Sequence, residues 1–254
     1  MNANDVPPYR LYSDLAHLWP LMSPPGEYAE EAAHWRRVLR EALGPGRHRI
    51  LELGVGGGHN LFHLAGDFDA TAADISEAML ANSRRLNPGV AHLLGDMRTL
   101  RLDKKFDAVL IHDAISHMLT EHDLLAAFTT AAAHLNPGGI FVTAPDNFKE
   151  TFKSPYTECC THSNGEMDLT YCEYGYDPDP GDTTISLFFT FLIRTKTGLQ
   201  IEHDRGFTGL FPKDTWRRLF EAAGFEFGER RFRLKSAGVE YTLLIGRLKP
   251  PHLG

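Results

Sequence analysis

Apolar positions along the chain change their spacing three times. In "EYAEEAAHWRRVLREALG", Tyr28, Ala32, Trp35, Leu39 and Leu43 fall near one face, acids lead and Gly44 follows. That pattern predicts an amphipathic helix. The segment before it, "VPPYRLYSDLAHLWPLMSPPG", mixes aromatics with proline and predicts short helical pieces broken near Pro20 and Pro24-Pro25. From Arg49 onward, apolar runs of strand length alternate with helical stretches. Strands are expected at 49–53, 69–73, 90–94, 106–111 and 139–144, and helices at 58–66, 76–86 and 121–135. "LNPGG", Leu135 to Gly139, stops the last of these helices. The alternation predicts an α/β fold with a parallel sheet covered by helices on both faces.

After Pro145 the spacing changes again. Residues 150–165 read as a polar loop. Three β-like stretches follow, "MDLTYCEYGY", "TTISLFFTFLIRT" and "LQIEHDRGFTG", joined by the turn-like "DPDPGD" and "KTG". "PKDTWRRLFEAAGF" predicts a helix, and "FEFGERRFRL" and "EYTLLIGRL" predict two closing strands. The expected organisation is an N-terminal helical cap over 1–48, a core over 49–149 and 208–250, and an antiparallel β insertion over 150–207. The insertion falls beside the carboxyl ends of the strands, where open α/β sheets bind ligands. Its exposed hairpin edges make a homodimer an expectation.

Composition narrows the partners. The 254 residues are 43% hydrophobic and 23% charged, with a net charge of −7. That is ordinary for a globular chain, and the acidic balance argues against a nucleic-acid partner. No apolar run is long enough to span a bilayer and no secretory leader is evident, so a cytoplasmic location is expected, without a membrane partner. Cys159, Cys160 and Cys172 are an odd number. A disulfide framework is not expected from them, and a reducing compartment fits. Together with His162 they do not match zinc-ligand spacing, so no metal is expected.

The stretch "ILELGVGGGHN", Ile50 to Asn60, turns from an apolar strand into glycines. A dinucleotide fingerprint G-x-G-x-x-G starting at Gly54 would need its third glycine at His59. Here the third is Gly58, and Glu52 leads, giving E-x-G-x-G-x-G. A sulfonium nucleoside has an amino-acid tail in place of a pyrophosphate. A carboxylate at the strand end suits its ammonium, and backbone N–H groups beyond the turn suit its carboxylate. Asp74 ends the second strand, about twenty residues on, where a carboxylate accepts ribose hydroxyls. This fits NAD equally well, and Asp74 also stands just before Ser76 at a helix start. Asp96-Met97 ends the third strand, where a carboxylate can accept from an adenine amino group.

In order, "ELGVGGG", "ADISEAML", "GDMRTL", "FDAVLIHDAISHMLTEHDL" and "LNPGGIFV" resemble the class I S-adenosylmethionine-dependent methyltransferases over roughly residues 49–144. The Tyr-rich N-terminus, the late hairpin and "GFTGLFPKDTWRRLFEAAGF" resemble the small-molecule branch that includes amino-sugar N,N-dimethyltransferases. The resemblance implies a Rossmann-like, mostly parallel seven-stranded sheet. It implies that Glu52, Gly54, Gly56 and Gly58 hold the methionine part of the cofactor and Asp74 the ribose. Ile75 and Met79 then lie beside the adenine, Asp96 and Met97 at its far end, and His112 faces both cofactor and acceptor. From the cap, Tyr12 and Tyr28 are expected to enclose the sulfonium, and Tyr9 to meet the acceptor. Trp19 is expected to pack within the cap.

Methyl transfer from a sulfonium is an in-line displacement with a neutral leaving group. Alignment matters most, and a base is needed only where the acceptor must lose a proton. "HDAISH" supplies His112, Asp113 and His117 as catalytic candidates, His117 foremost as base. Tyr174, Tyr176, His203 and Arg205 of the insertion are the expected acceptor contacts. The Asp/Asn-Pro-Pro-Tyr/Phe pattern of many base and glutamine N-methyltransferases is absent, "HDAI" standing in its place. The expected activity is therefore methylation of a nitrogen on a small metabolite, with release of S-adenosylhomocysteine. O-methylation is the alternative. An NAD-dependent oxidoreductase and a non-catalytic cofactor-binding protein are the rivals of other classes.

Overall fold

The structure is a computed structural model that describes residues 9–235 and 238–250. The first eight residues of the expected cap lie outside the described residues. The cap is a run of short 3-10 turns around helix α1 (Trp19–Met22), followed by α2 (Ala29–Leu43). Pro20 sits in the first turn of α1, where its missing N–H costs nothing. Helix α2 buries Ala32, Trp35, Val38 and Leu39, and Gly44 ends it with φ 79°.

The core then alternates: β1 (Arg49–Leu53), α3 (His59–Leu64), β2 (Asp69–Asp74), α4 (Glu77–Leu86), β3 (Ala91–Leu94), β4 (Phe106–Ile111), α5 (Glu121–His134) and β5 (Leu135–Thr143). These are the expected elements, with one adjustment. "LNPGG" ends α5 but itself enters β5, pairing through an irregularity between Phe106 and Ala108. A second run follows: β6 (Tyr156–Ser163), β7 (Met167–Tyr176), β8 (Thr184–Thr195) and β9 (Gly198–Gly209). The chain closes with α6 (Lys213–Ala222), β10 (Phe225–Arg233) and β11 (Glu240–Leu248).

The main sheet has seven strands in the order β10-β11-β5-β4-β1-β2-β3. The ladders among the first five strands are parallel, and β11 runs antiparallel to both neighbours. This is the expected α/β, mostly parallel Rossmann-like sheet. Its two faces are sealed by separate apolar clusters, one around Phe128, Phe141, Trp216 and Phe220, the other around Trp35, Leu39, Phe68 and Leu80. From β1 the chain runs outward to β3, then returns to β4 on the other side of β1. The crevice of such an open sheet lies beyond the carboxyl ends of the strands at that reversal.

Strands β6-β7-β8-β9 form a separate antiparallel sheet. Three of the four match the β-like stretches read from the sequence. The fourth, β6, replaces the expected polar loop. Its side chains are almost all exposed, so an edge strand of this kind shows no apolar alternation. The inner face of this sheet packs Leu187, Phe189, Phe191 and Ile193 against Leu11, Leu15 and Leu18 of the cap. The cap is also stitched by polar bonds. The Tyr9 hydroxyl donates to the Phe207 carbonyl at 3.0 Å, the Leu11 N–H to the Asp204 carboxylate at 2.8 Å, and the Asn82 amide of α4 to the Ala16 carbonyl at 2.7 Å. Cap and second sheet thus form a roof over the carboxyl end of the main sheet.

The cysteines correct the sequence reading. Cys159 of β6 and Cys172 of β7 stand opposite each other and are joined as a disulfide, while Cys160 is free and exposed. Spacing along the chain could not show this, because the pairing depends on the register between two strands. No helix among the described residues is long and apolar enough to cross a membrane.

Candidate functional site

Between floor and roof lies a cavity of about 1350 Å³. A pocket for one drug-sized ligand holds roughly 300–1,000 Å³, so this one has room for two reactants. Every residue expected to hold the cofactor lines it: Tyr12, Tyr28, Glu52, Gly54, Gly56, Gly58, Asp74, Ile75, Met79, Asp96, Met97 and His112. They converge because each sits at or just beyond the carboxyl end of β1, β2, β3 or β4, or on the cap above.

The glycine turn is built by backbone constraint. The N–H groups of Gly54 and Val55 both donate to the Ala73 carbonyl, at 2.8 and 3.1 Å, which folds the chain back over β2. Gly58 has φ +78°, and a Cβ there would stand 2.3 Å from the Ser83 hydroxyl and 2.5 Å from the Asn87 amide. Asp74 ties the turn to the next helix. Its carboxylate accepts from the Gly56 N–H at 2.7 Å and the Ser76 N–H at 2.8 Å. Each oxygen keeps a further lone pair for a hydroxyl.

The fit of an amino-acid ammonium rests on an orphan. Oε2 of Glu52 is buried without a hydrogen-bond partner, and so are both amide atoms of Asn60, two residues past the turn. Such groups are costly unless something satisfies them. Asn60 was not anticipated from sequence, although it stands inside the quoted glycine stretch. Burial, with the nearby Asp113 and Asp74 carboxylates and against the influence of His112, pushes the Glu52 carboxyl up to about 8. An ammonium beside it would favour the ionised form, so binding at pH 7 should release a proton. Affinity for S-adenosylhomocysteine is therefore expected to rise between about pH 6 and 8, and its binding enthalpy at pH 7 to differ between phosphate and Tris buffers. Identical enthalpies in the two buffers would remove Glu52 from this role.

Asp96 is engaged differently from the simple expectation. Burial would raise its carboxyl, but the Arg98 side chain and N–H outweigh that and hold it below the ordinary range. Arg98 binds it at 2.6 Å and reaches Asp123 of α5 at 3.1 Å.

A 3-10 turn at Asp113–His117 follows β4. Its three candidates separate into different states. His112 is buried between Glu31, 3.0 Å from Nε2, and Asp113, 3.2 Å from Nδ1. Burial alone would lower it, yet the two carboxylates hold its pKa well above the usual value. As an imidazolium already paired twice it has no lone pair for a base. His112 is corrected from base candidate to a charged tether between α2 and β4. Asp113 opens to the cavity, with 48% of its side chain exposed. Burial would raise its carboxyl, but His112 holds it low. His117 stands under the cap, Nε2 3.2 Å from the Tyr12 hydroxyl and its ring edge-on to Tyr9 and Tyr12. Burial, partly offset by Asp113, lowers its pKa, so it is neutral at pH 7.

The cap residues close over the turn. The Trp19 indole N–H donates to His59 at 3.2 Å, and Tyr28 lies over His59 and His112. Trp19 thus faces the cavity and does not merely pack within the cap. Tyr9 lines the cavity as well.

Four expected acceptor contacts do not reach the cavity. Tyr174 and Tyr176 sit on the outer face of the second sheet, where Tyr176 stacks on Phe188 and Tyr174 is 44% exposed. His203 and Arg205 are exposed on that same face. The parity was off by one residue. The cap covers the opposite face, so it is Glu173, Gly206 and Thr208 that look inward.

Further carboxylates that the sequence reading missed also line this cavity. Asp146, just past β5, lines the cavity beside Asp113. Burial and the Asp113 charge push its carboxyl up to about 7. Glu173 accepts a hydrogen bond from the Tyr156 hydroxyl, and burial raises its carboxyl. Glu158 of β6 completes an acidic wall. Asp146 was findable. It follows the end of β5 as His112 follows the end of β4.

The floor, the glycine turn and the orphaned carboxylate define a Rossmann-like binder of a sulfonium nucleoside. Residues 50–139 match the family model of a methyltransferase domain. The chain is 30% identical over 200 residues to the dTDP-3-amino-3,6-dideoxy-alpha-D-glucopyranose N,N-dimethyltransferase of Streptomyces fradiae, covering 78% of this chain and 77% of that one. It is 36% identical over 128 residues to the dTDP-3-amino-3,4,6-trideoxy-alpha-D-glucopyranose N,N-dimethyltransferase of Streptomyces venezuelae, a match that spans 50% of this chain and only 54% of that one. Among solved structures it is similar to S-adenosylmethionine-bound CalS10, an amino pentose methyltransferase from Micromonospora echinaspora, with 26% identity, a TM-score of 0.75, and 87% and 91% of the two chains covered. The chain belongs to the class I S-adenosylmethionine-dependent methyltransferases, in the branch of the amino-sugar N,N-dimethyltransferases.

Proposed function

We propose that this enzyme methylates the amine nitrogen of a small sugar-like acceptor. The observation that carries the reading is the acidic wall of Asp113, Asp146, Glu158 and Glu173 facing the cofactor half of the cavity. A protonated amine is drawn to such a wall, whereas a neutral hydroxyl gains little from it. The relatives named above, which act on amino sugars, support the same choice.

S-adenosylmethionine, when bound, supplies an electrophilic methyl and leaves as a neutral thioether, S-adenosylhomocysteine. An ammonium has no lone pair, so it must first lose a proton. Asp146, with a carboxyl near pH 7, takes that proton. The freed nitrogen lone pair then forms the new N–C bond. His117 orients the Tyr12 hydroxyl, and Tyr9, Tyr12 and Phe189 shield the nitrogen from water. In this division the core over 49–149 and 208–250 carries the cofactor site, the insertion over 150–207 forms the acceptor side, and Asp113 and Asp146 reach the acceptor from the core.

The test is a transfer assay with labelled methyl donor, offering an amino sugar and its hydroxyl analogue. Label is expected on nitrogen of the first and absent from the second. Label on oxygen would replace this reading with the O-methyltransferase alternative. Calorimetric titration should show S-adenosylhomocysteine binding and no NAD binding, which separates the protein from an oxidoreductase.

A further inference from the structure

From the place of the Cys159–Cys172 disulfide in the second sheet, we infer that it is a redox-sensitive clasp, fixing which side chains of β6 face the cavity. Its kinetic consequence rests on the reading of an amine acceptor, and its structural consequence does not. Strand β6 is an edge, paired with β7 alone, and almost all its side chains are exposed. A strand without a buried face has a weakly specified register, and a slip of one residue turns every side chain to the other face. Yet the facing of this strand matters. Tyr156 and Glu158, at alternate positions, line the cavity. Cys159 lies on the opposite side of the strand. In the observed register Glu158 stands opposite Glu173, and Cys159 opposite Cys172. A slip by one residue would carry Tyr156 and Glu158 out of the cavity wall.

The other ties on β6 are weaker in kind. The Tyr156 hydroxyl donates to Glu173, and the Thr161 and Thr170 hydroxyls meet at 2.8 Å. Water competes for such bonds, and a backbone ladder re-forms after a slip. The disulfide is covalent, and no slipped register satisfies it. It is also open to attack, since Cys159 is exposed and Cys172 half-buried. Exposed disulfides belong to the labile class. A thiolate of a dithiol reductant attacks one sulfur, and its second thiol resolves the mixed disulfide. The dithiol ends as a cyclic disulfide, and its two electrons and two protons leave Cys159 and Cys172 as thiols. Cys160 is free on the other face of β6, so it replaces neither partner while the ladder is intact.

The test compares the full chain before and after dithiothreitol. Thiol counting on the unfolded chain is expected to find one free thiol before reduction and three after. On reduction, β6 amides should exchange hydrogen about tenfold faster or more, with β8, β9 and the main sheet unchanged. KM for the amino sugar of the transfer assay should rise severalfold, while affinity for S-adenosylhomocysteine stays as it was. Cys159→Ser/Cys172→Ser is expected to behave as the reduced protein in both conditions, and Cys160→Ser to respond as wild type does. Three free thiols after treatment with oxidised glutathione overturn the inference. So does unchanged β6 exchange on full reduction, or a response that persists in the double variant. Faster exchange with an unchanged KM overturns the link to the cavity. Absence of transfer to the amine in either state overturns the amine reading, and thiol count and exchange still decide the clasp.

Discussion

Replacing Asp146 with asparagine is expected to lower kcat by about a hundredfold or more, the usual scale for losing a positioned base. Affinity for S-adenosylhomocysteine should stay close to wild type, because the proposed methionine end of the site rests on Glu52, Asn60 and the glycine turn, not on Asp146. The pH profile is the sharper readout. Burial and Asp113 place the Asp146 carboxyl near 7. The form that accepts a proton therefore accumulates as pH rises through 7, and wild-type turnover should climb over that interval. In Asp146→Asn the climb should vanish and leave only the slope set by the amine itself. A variant within threefold of wild type, with its pH profile unchanged, would return the base role to His117. His117→Ala is expected to be the milder lesion, acting through loss of the Tyr12 contact.

Replacing Gly58 with alanine is expected to be strongly damaging for a single added methyl. The left-handed backbone costs about 1–2 kcal/mol for a residue with a Cβ. The added carbon also meets Ser83 and Asn87 of the α4 segment at 2.3–2.5 Å, and overpacking of this kind costs about 1–3 kcal/mol. Together they should lower the melting temperature by roughly 5–15 °C in a chain of this size. Cofactor binding should weaken in parallel, because the turn cannot open without moving Glu52 and Asp74. Gly138→Ala is the matched control. Its φ is +77°, against +78° at Gly58, but nothing lies within 4 Å of its Cβ position. Only the backbone cost applies there, and binding should be intact. Equal melting temperatures for the two variants would show that the α4 contact contributes nothing.

These two sites differ in how far they could be read from sequence, and the difference is physical. Glu52, the glycines, Asp74 and Asp96 each depend on one local fact, the carboxyl end of a parallel strand. Strand ends are marked by where an apolar run stops, so the residues that line the cavity floor were legible. The roof depends on facts that are not local. Whether Tyr174 or Glu173 looks inward is decided by which face of the second sheet the cap covers. That is settled by Leu11 and Leu15, more than 150 residues away in the chain. Aromatic, His and Arg side chains were attractive as ligand contacts on chemical grounds, and the sheet turns them outward. β6 was illegible because an exposed edge strand carries no apolar period. The Cys159–Cys172 pair was illegible because it is a property of register. Asp146 is the instructive exception. It follows the end of β5 as His112 follows the end of β4, but no motif marks the position.

One consequence follows from where the second sheet enters the chain. Its four strands form one uninterrupted run between β5 and α6, leaving the main sheet and returning to it once. On the proposed function, Glu158 and Glu173 of the acidic wall arrive in that one run, while Asp113, His117 and Tyr9 come from elsewhere in the chain. Recombination at two places in the gene could exchange that part of the roof and leave the strand ends beneath it intact.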